Sequence, residues 1–258
     1  MNIIFIGSGN VATHLATAMR DAGHRIVGIC SQNIEHAERL ACLVEAQTYP
    51  QVELIPTDAD IYIISISDDN IADVVSRLLQ PSGIVAHTAG SIDMSVLSRF
   101  DRYGVFYPLQ SFTRERNISL QTTPFCIEGS DTDVESVLVE LALSLSTDVR
   151  CLTSAQRRQC HLAAVFASNF VNCMYAEAEQ IMSGADLPMS MLEPLVAETA
   201  DKAFHMGAVN AQTGPARRGD LSVMRRQLQA LPTESLRKMY RFVSEEIMTR
   251  YGISNQSI

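Results

Sequence analysis

A chain of 258 residues with 47 % hydrophobic and 19 % charged residues has room for one large domain or two modest ones, and is neither disordered nor fibrous. Its 20 Lys+Arg against 29 Asp+Glu leave a net charge of −9, which makes the chain a poor general binder of nucleic acid or anionic membrane. No run reaches the roughly 18 apolar residues of a membrane helix. The N-terminus lacks the basic start of a signal peptide, and the six cysteines form no CxxC pair. A cytoplasmic protein with reduced thiols and no metal site is expected.

The first half alternates short apolar runs with helical patterns. Ile3 to Ile6 is a strand ending in glycine, and residues 10–21 carry Val11, Leu15, Ala18 and Met19 at helical spacing. Residues 25–29 form the next strand and 35–45 a helix. Ile61 to Ile66 is a third strand, followed by a helix from Ile71 that Pro81 stops. Residues 83–87, 104–107 and 125–127 read as further strands. Runs that are apolar on both faces and alternate with helices predict a doubly wound, mostly parallel, Rossmann-like α/β sheet. From Ser154 to about Arg250 the signal is helical: one long helix over 154–183, a second over 188–207, and a Gly/Pro/Arg loop over 212–220. The expected organisation is a dinucleotide-binding domain at 1–150 and an all-helical domain at 151–258.

Gly7-Ser8-Gly9-Asn10-Val11-Ala12 joins the first strand to the first helix. In that context the first glycine permits the tight turn and the second lets backbone approach a pyrophosphate. The small Ala12 brings helix and strand close, and the helix N-terminus offers N–H groups to the anion. The second strand runs into Cys30-Ser31-Gln32-Asn33, where NAD-specific sites usually place an acid. Ser31 and Gln32 can meet the adenosine ribose, and no carboxylate repels a 2′-phosphate. NADP is favoured, with NAD still possible.

Ligands of such sheets lie at the carboxyl ends of the strands. Ser65 follows the third strand, His87 the next, and Tyr107-Pro108-Leu109-Gln110 the one after. Ser65 and His87 are expected to line the cofactor site and Gln110 the substrate. For His87 a second reading stands beside this one, a cap for the turn near Asp93. Tyr107-Pro108 reads as no more than a rigid strand exit. On the long helix, at about 100° per residue, Ser168, Asn172, Tyr175 and Glu179 fall within about 40° of His161, with Asn169 about 80° away. No Lys, Arg or Glu stands between 161 and 176. That neutral stripe is either a solvated face or a buried polar pocket in which each group finds a partner.

Residues 7–15 (GSGNVATHL), 87–91 (HTAGS), 104–112 (GVFYPLQSF), 161–170 (HLAAVFASNF) and 212–220 (QTGPARRGD) together resemble bacterial Rossmann-like proteins with a C-terminal domain of unknown function, a family of candidate NADP oxidoreductases. The layout is more distantly similar to the superfamily of 6-phosphogluconate dehydrogenase, ketopantoate reductase and pyrroline-5-carboxylate reductase. The resemblance implies that the first helix of the second domain forms the catalytic wall and that the protein is a homodimer. The lysine that many hydroxyacid members carry on that helix is missing; Val165 stands four residues after His161. His161 is then the available acid, since an imidazole titrates near neutral pH. Asn169 or Asn172, with Ser168, would hold the substrate. Arg217 and Arg218 either clamp a substrate anion bidentately or belong to a solvated surface loop.

The expected function is an NADP-dependent oxidoreductase moving a hydride between nicotinamide and a small carbonyl, hydroxy or imine compound. The alternative is a nucleotide-binding sensor without turnover.

Overall fold

Strands that are apolar on both faces need cover on both sides, and the chain supplies it in sequence order. The structure, a computed structural model, describes residues 1–253. Strands β1 (Asn2–Ile6), β2 (Arg25–Cys30), β3 (Gln47–Tyr49), β4 (Ile61–Ile64) and β5 (Ile84–His87) are interleaved with helices α1 (Asn10–Asp21), α2 (Ile34–Val44) and α3 (Ile71–Arg77). Next come β6 (Tyr103–Pro108), β7 (Phe125–Gly129), α4 (Thr132–Leu143) and β8 (Val149–Cys151). The eight strands form one sheet in the order β3-β2-β1-β4-β5-β6-β7-β8. All neighbours are parallel except β6 and β7, which run antiparallel.

Side-chain alternation divides the core in two. Ile3, Phe5, Ile61, Ile63, Ile84 and Ala86 pack with the buried faces of α1, α2 and α4. Ile4, Ile6, Tyr62, Ile64 and Val85 pack with Ile71, Val74 and Val75 of α3 and with Leu97 and Phe100. The doubly wound sheet is thus the expected one. Strand order reverses between β1 and β4, so a crevice opens beyond their carboxyl ends.

Among the strands and α-helices up to β8, three lie outside the sequence expectation, and further on a short helix, Pro215–Arg218, stands within the expected loop. β3 and β8 have three residues each, too few to show a period. α4 does carry a signal: Asp131 caps it by accepting from Asp133 and Val134, and Val134, Leu138 and Leu141 are buried at helical spacing.

Beyond β8, α5 (Ser154–Ala164) begins with a capping box between Thr153 and Gln156. The single helix expected over 154–183 is interrupted. Val165–Phe170 is π-helical, and α6 (Val171–Ser183) follows. α7 (Glu193–Met206), α8 (Ala208–Ala211), α9 (Pro215–Arg218), α10 (Leu221–Ala230) and α11 (Glu234–Arg250) complete the described chain. Two compact units result, Met1–Ser168 and Asn169–Ile258. In the second, Ala216, Met224 and Met248 form a small core between α9, α10 and α11. Among the described residues no helix is long and apolar enough to cross a membrane.

Candidate active site

A cavity of about 750 Å³ lies along the carboxyl ends of the strands. Its lining crosses five neighbouring strands in order: Ser31, Gln32 and Asn33 after β2, Gly7 to Val11 after β1, Ser65 to Asp68 after β4, Thr88 to Gly90 after β5, and Tyr107 and Gln110 on β6 and its exit. Four inter-strand spacings amount to about 19 Å, the form of a trough for an extended ligand.

The turn out of β1 is made by Gly7, whose φ is +120°. A Cβ placed there would stand 2.0 Å from the carbonyl oxygen of Ser65. Only glycine lets the β1 exit lie this close to the β4 exit. A Cβ on Gly9 would meet nothing within 4 Å, so its outer side is open. Gly9 is also the N-cap of α1, and no side chain caps that end. The unpartnered N–H groups and the dipole of α1 therefore face a space that an anion can enter. Ala12 is fully buried in the core contact of α1. At the β2 end, the Ser8 hydroxyl donates to Ser31 Oγ at 2.8 Å, and Asn33 caps α2 by accepting from His36 N at 2.9 Å. Gln32 is exposed on the lining. The Thr88 hydroxyl donates to Ser65 Oγ at 3.2 Å, tying the exits of β4 and β5 together.

The far end of the trough holds a pair that the sequence did not reveal. Tyr107, the fifth residue of β6, places Oη 3.0 Å from His161 Nδ1, with the rings edge to face and centroids 5.9 Å apart. Burial pushes the Tyr107 hydroxyl up to about 12, so it stays a phenol at any ordinary pH. The pair fits because residue 90 is glycine. A Cβ there would lie 2.5 Å from His161 Nδ1 and 2.9 Å from Tyr107 Cζ. α5 is held against the sheet one turn earlier. Arg157, 1 % exposed, pairs with Glu128 of β7 and donates to Ile92 O and to Ser154 Oγ. Ser154 in turn gives its backbone N–H and its hydroxyl to the Glu128 carboxylate, at 2.8 and 2.7 Å. Polar residues at 154, 157 and 161 share one face of α5, and that spacing was the available sequence signal.

One expected residue is turned away from the trough. His87 has no exposed surface, so its ring offers nothing to a cofactor; Thr88, Ala89 and Gly90 line the trough instead. The His87 ring instead meets the backbone of Asp93, and Asp93 caps the turn there by accepting from Ser95 N. Ser168, Asn169 and Asn172 are exposed in the single chain. The π-helical segment also departs from the roughly 100° per residue on which the stripe from His161 was laid out. Arg218 pairs with Asp220, and the Arg217 guanidinium lies 4.1 Å over the Tyr251 ring.

His87 makes the fold acid-sensitive. Its Nδ1 accepts the Ala89 N–H at 3.1 Å, and the nearby Asp93 backbone and carboxylate, which favour the charged ring, do not offset its burial. Burial, then the Arg157 guanidinium, push the imidazole down to about 3. The unfolded chain holds a proton on this ring below about pH 6.5 and the folded chain does not. Stability is therefore full above that pH and falls as pH drops, by about 1.4 kcal/mol per unit at the steepest. His87→Asn, whose Oδ1 can still accept from Ala89, is expected to flatten this slope between about pH 6 and about pH 4.5. Urea unfolding at a series of pH values measures it, and an unaltered slope would exclude His87 as the source.

Residues 2–90 match the model of the family described as "NADP oxidoreductase coenzyme F420-dependent", and residues 123–247 match the domain of unknown function DUF2520. The Bacteroides fragilis protein BF3122, described as a candidate NADP oxidoreductase, is 37 % identical, with 96 % of this chain and 98 % of that one covered and a TM-score of 0.91. Thermotoga maritima protein TM1727 superposes with a TM-score of 0.70 at 20 % identity, over 97 % of this chain and 98 % of that one. An imine reductase from Myxococcus stipitatus, in complex with NADP+, shares the fold at 14 % identity and a TM-score of 0.67, over 96 % and 92 %. No curated protein matches. With a relative this similar over nearly its whole length, and with the glycine loop and trough in place, the chain belongs to the family that joins an NADP oxidoreductase domain to a DUF2520 domain.

Proposed function

We propose that the protein is an NADP-dependent reductase of a small carbonyl or imine compound, or in reverse a dehydrogenase of the matching hydroxy compound or amine. The observation that carries this is the Tyr107–His161 pair at one end of a trough whose middle is the Gly7–Gly9 turn. The loop would take the pyrophosphate, with Gly7, Ser8, Gly9, Asn10 and Val11 around it and Ala12 packed beneath. Ser31 and Gln32 would meet the adenosine ribose, and Ser65 the centre of the dinucleotide. No carboxylate stands at residues 30–33 to repel a 2′-phosphate, which supports NADP over NAD. The cofactor so held supplies or accepts a hydride at its nicotinamide ring.

His161 handles the proton. Protonated, it donates Nδ1–H to the Tyr107 oxygen and keeps Nε2–H for the substrate oxygen or nitrogen. Giving up that proton leaves a neutral ring still oriented by Tyr107. In the oxidative direction the same nitrogen accepts. Gln110 borders the same end and is the substrate contact supported by the lining. Asn169, Asn172, Ser168, Arg217 and Arg218 remain substrate candidates through the residue resemblance alone. A sensor that only binds nucleotide has no use for a proton donor at this place, and the family match also favours turnover.

A second copy of the chain completes the helical part. α6 and α7 have 13 and 14 residues and not one buried side chain. Leu195 is 62 % and Phe204 89 % exposed. Helices of this length hold their form by packing an apolar face. Sedimentation equilibrium is expected to give twice 28.4 kDa. A cytoplasmic location is supported by six cysteines that are all free.

The decisive experiment is NADPH and NADH fluorescence titration, followed by consumption assays with cyclic imines, keto acids and, as the family description prompts, coenzyme F420. Saturable NADPH binding with turnover of a panel member is expected. Tight binding with no consumption by any of them would return the sensor reading.

A further inference from the structure

The 16 residues between β6 and β7, residues 109–124, do not hang free; their first part lies across the glycine-rich turn. Asn10 Nδ2 donates to Phe112 O at 3.0 Å, and His14 Nε2–H donates to Thr113 O at 3.0 Å. The His14 and Phe112 rings stand 5.1 Å apart. Arg114 then reaches back 106 positions and donates Nη2–H to the carbonyl oxygen of Ser8 at 2.8 Å. Gln110 and Phe112, from the same segment, line the trough. The segment is therefore fastened at three places to the loop and the start of α1.

The Arg114 bond bears on chemistry because of what a peptide unit is. The Ser8 carbonyl and the Gly9 N–H belong to one planar trans amide and point in opposite directions. Fixing the oxygen on the Arg114 side turns the Gly9 N–H away from it. If this peptide flipped, a carbonyl dipole would face the incoming phosphates in place of a donor. Nothing local prevents the flip: Gly9 has open space on its outer side, and no side chain caps α1. A guanidinium is suited to the task, since it stays charged and presents its donors in a rigid fork. Among the described residues its buried Nε has no partner, and its head donates to the Ser8 carbonyl. It also brings positive charge to a stretch, residues 1–19, that contains neither Lys nor Arg.

We propose that Arg114 is a positioning residue for the dinucleotide: it fixes the Ser8–Gly9 peptide so that the loop presents a donor to the pyrophosphate. This rests on the dinucleotide reading of the trough. Affinity for the diphosphate then depends on a residue of the β6–β7 connection, outside the β1–α1 motif itself.

The test compares wild type, Arg114→Met and Arg114→Lys. Three probes are titrated: NADPH, ADP, and adenosine 2′-monophosphate, which lacks the diphosphate. Amide exchange of the peptide covering residues 7–12 is followed without ligand. Arg114→Met is expected to weaken NADPH and ADP about tenfold, leave adenosine 2′-monophosphate within about twofold, and speed exchange of the loop. Arg114→Lys, with one donor group in place of the fork, is expected to lose less in the same pattern; it carries the test if the methionine variant does not fold. Unchanged NADPH affinity overturns the proposal, and so does equal weakening of all three probes, which marks general loosening. If the wild type bound no dinucleotide, the trough reading would fall. The exchange comparison would then still judge the tie, with equal exchange rates refuting it.

Discussion

Gly7→Ala is expected to abolish measurable NADPH binding and to destabilise the first unit, whereas Gly9→Ala is expected to abolish binding alone. The two glycines stand two residues apart and differ in what surrounds them. At Gly7 a methyl group meets Ser65 O at 2.0 Å, Ser65 C at 2.7 Å and Ile66 Cγ2 at 3.0 Å, and the backbone φ of +120° is one that alanine rarely adopts. The first two are main-chain atoms of the β4 exit, which cannot swing aside as the end of a side chain can. Either the exits of β1 and β4 separate or the turn refolds. Backbone strain and overpacking each cost about 1–3 kcal/mol. That is a large share of the roughly 5–15 kcal/mol that holds a domain folded. At Gly9 the methyl group meets nothing, and φ is −77°. Folding is spared, but the methyl group stands where backbone must approach the phosphates. Urea unfolding and NADPH titration on both variants separate the two effects. Wild-type affinity in Gly9→Ala would place the phosphates elsewhere, and wild-type stability in Gly7→Ala would contradict the close packing of the two strand exits.

The same contrast explains how much of the molecule the sequence disclosed. The glycine turn is local: its residues, the strand before it and the helix after it lie within residues 2–21, and β1 and α1 stand where the pattern places them. So do the apolar strands β4 and β5, whose two buried faces leave runs without alternation. What was not legible is non-local. Tyr107 and His161 are 54 positions apart, and Arg114 and Ser8 106. No periodicity within one element announces such a meeting. Tyr107 and Pro108 read as a strand exit because nothing nearby says that α5 will bring an imidazole to the phenol. The helical wheel meets a different limit. It assumes an unbroken α-helix, and Val165–Phe170 is π-helical, so the angles it assigns beyond residue 165 do not hold. His87 shows the limit of reasoning by strand end: the position is right, but the alternation of β5 turns this ring inward and hands the trough to Thr88, Ala89 and Gly90.

The largest effect on turnover is expected at His161. With the panel substrate that the wild type consumes, His161→Gln should lower kcat by about 10²–10⁴, the range for losing a positioned acid–base group, while the NADPH dissociation constant moves less than about twofold. Glutamine keeps polarity and much of the volume but cannot deliver a proton. Tyr107→Phe removes only the hydroxyl that orients Nδ1, so its loss should be smaller, about tenfold for one buried hydrogen bond. Gly90→Ala leaves both side chains intact but drives a methyl group to within 2.5 Å of Nδ1 and 2.7 Å of His161 Cγ. Both rings are held, Tyr107 by burial and His161 by a helix anchored through Arg157 to Glu128, so the pair must part. If the pair is the catalytic unit, Gly90→Ala lies closer to His161→Gln than to Tyr107→Phe. Combining it with His161→Gln should then add little, because residues that act together are not additive. Steady-state kinetics with parallel NADPH titration decide this. Equal loss of cofactor affinity and turnover in His161→Gln, or loss of neither, would remove His161 from the chemistry, and full additivity would dissolve the pair as a unit.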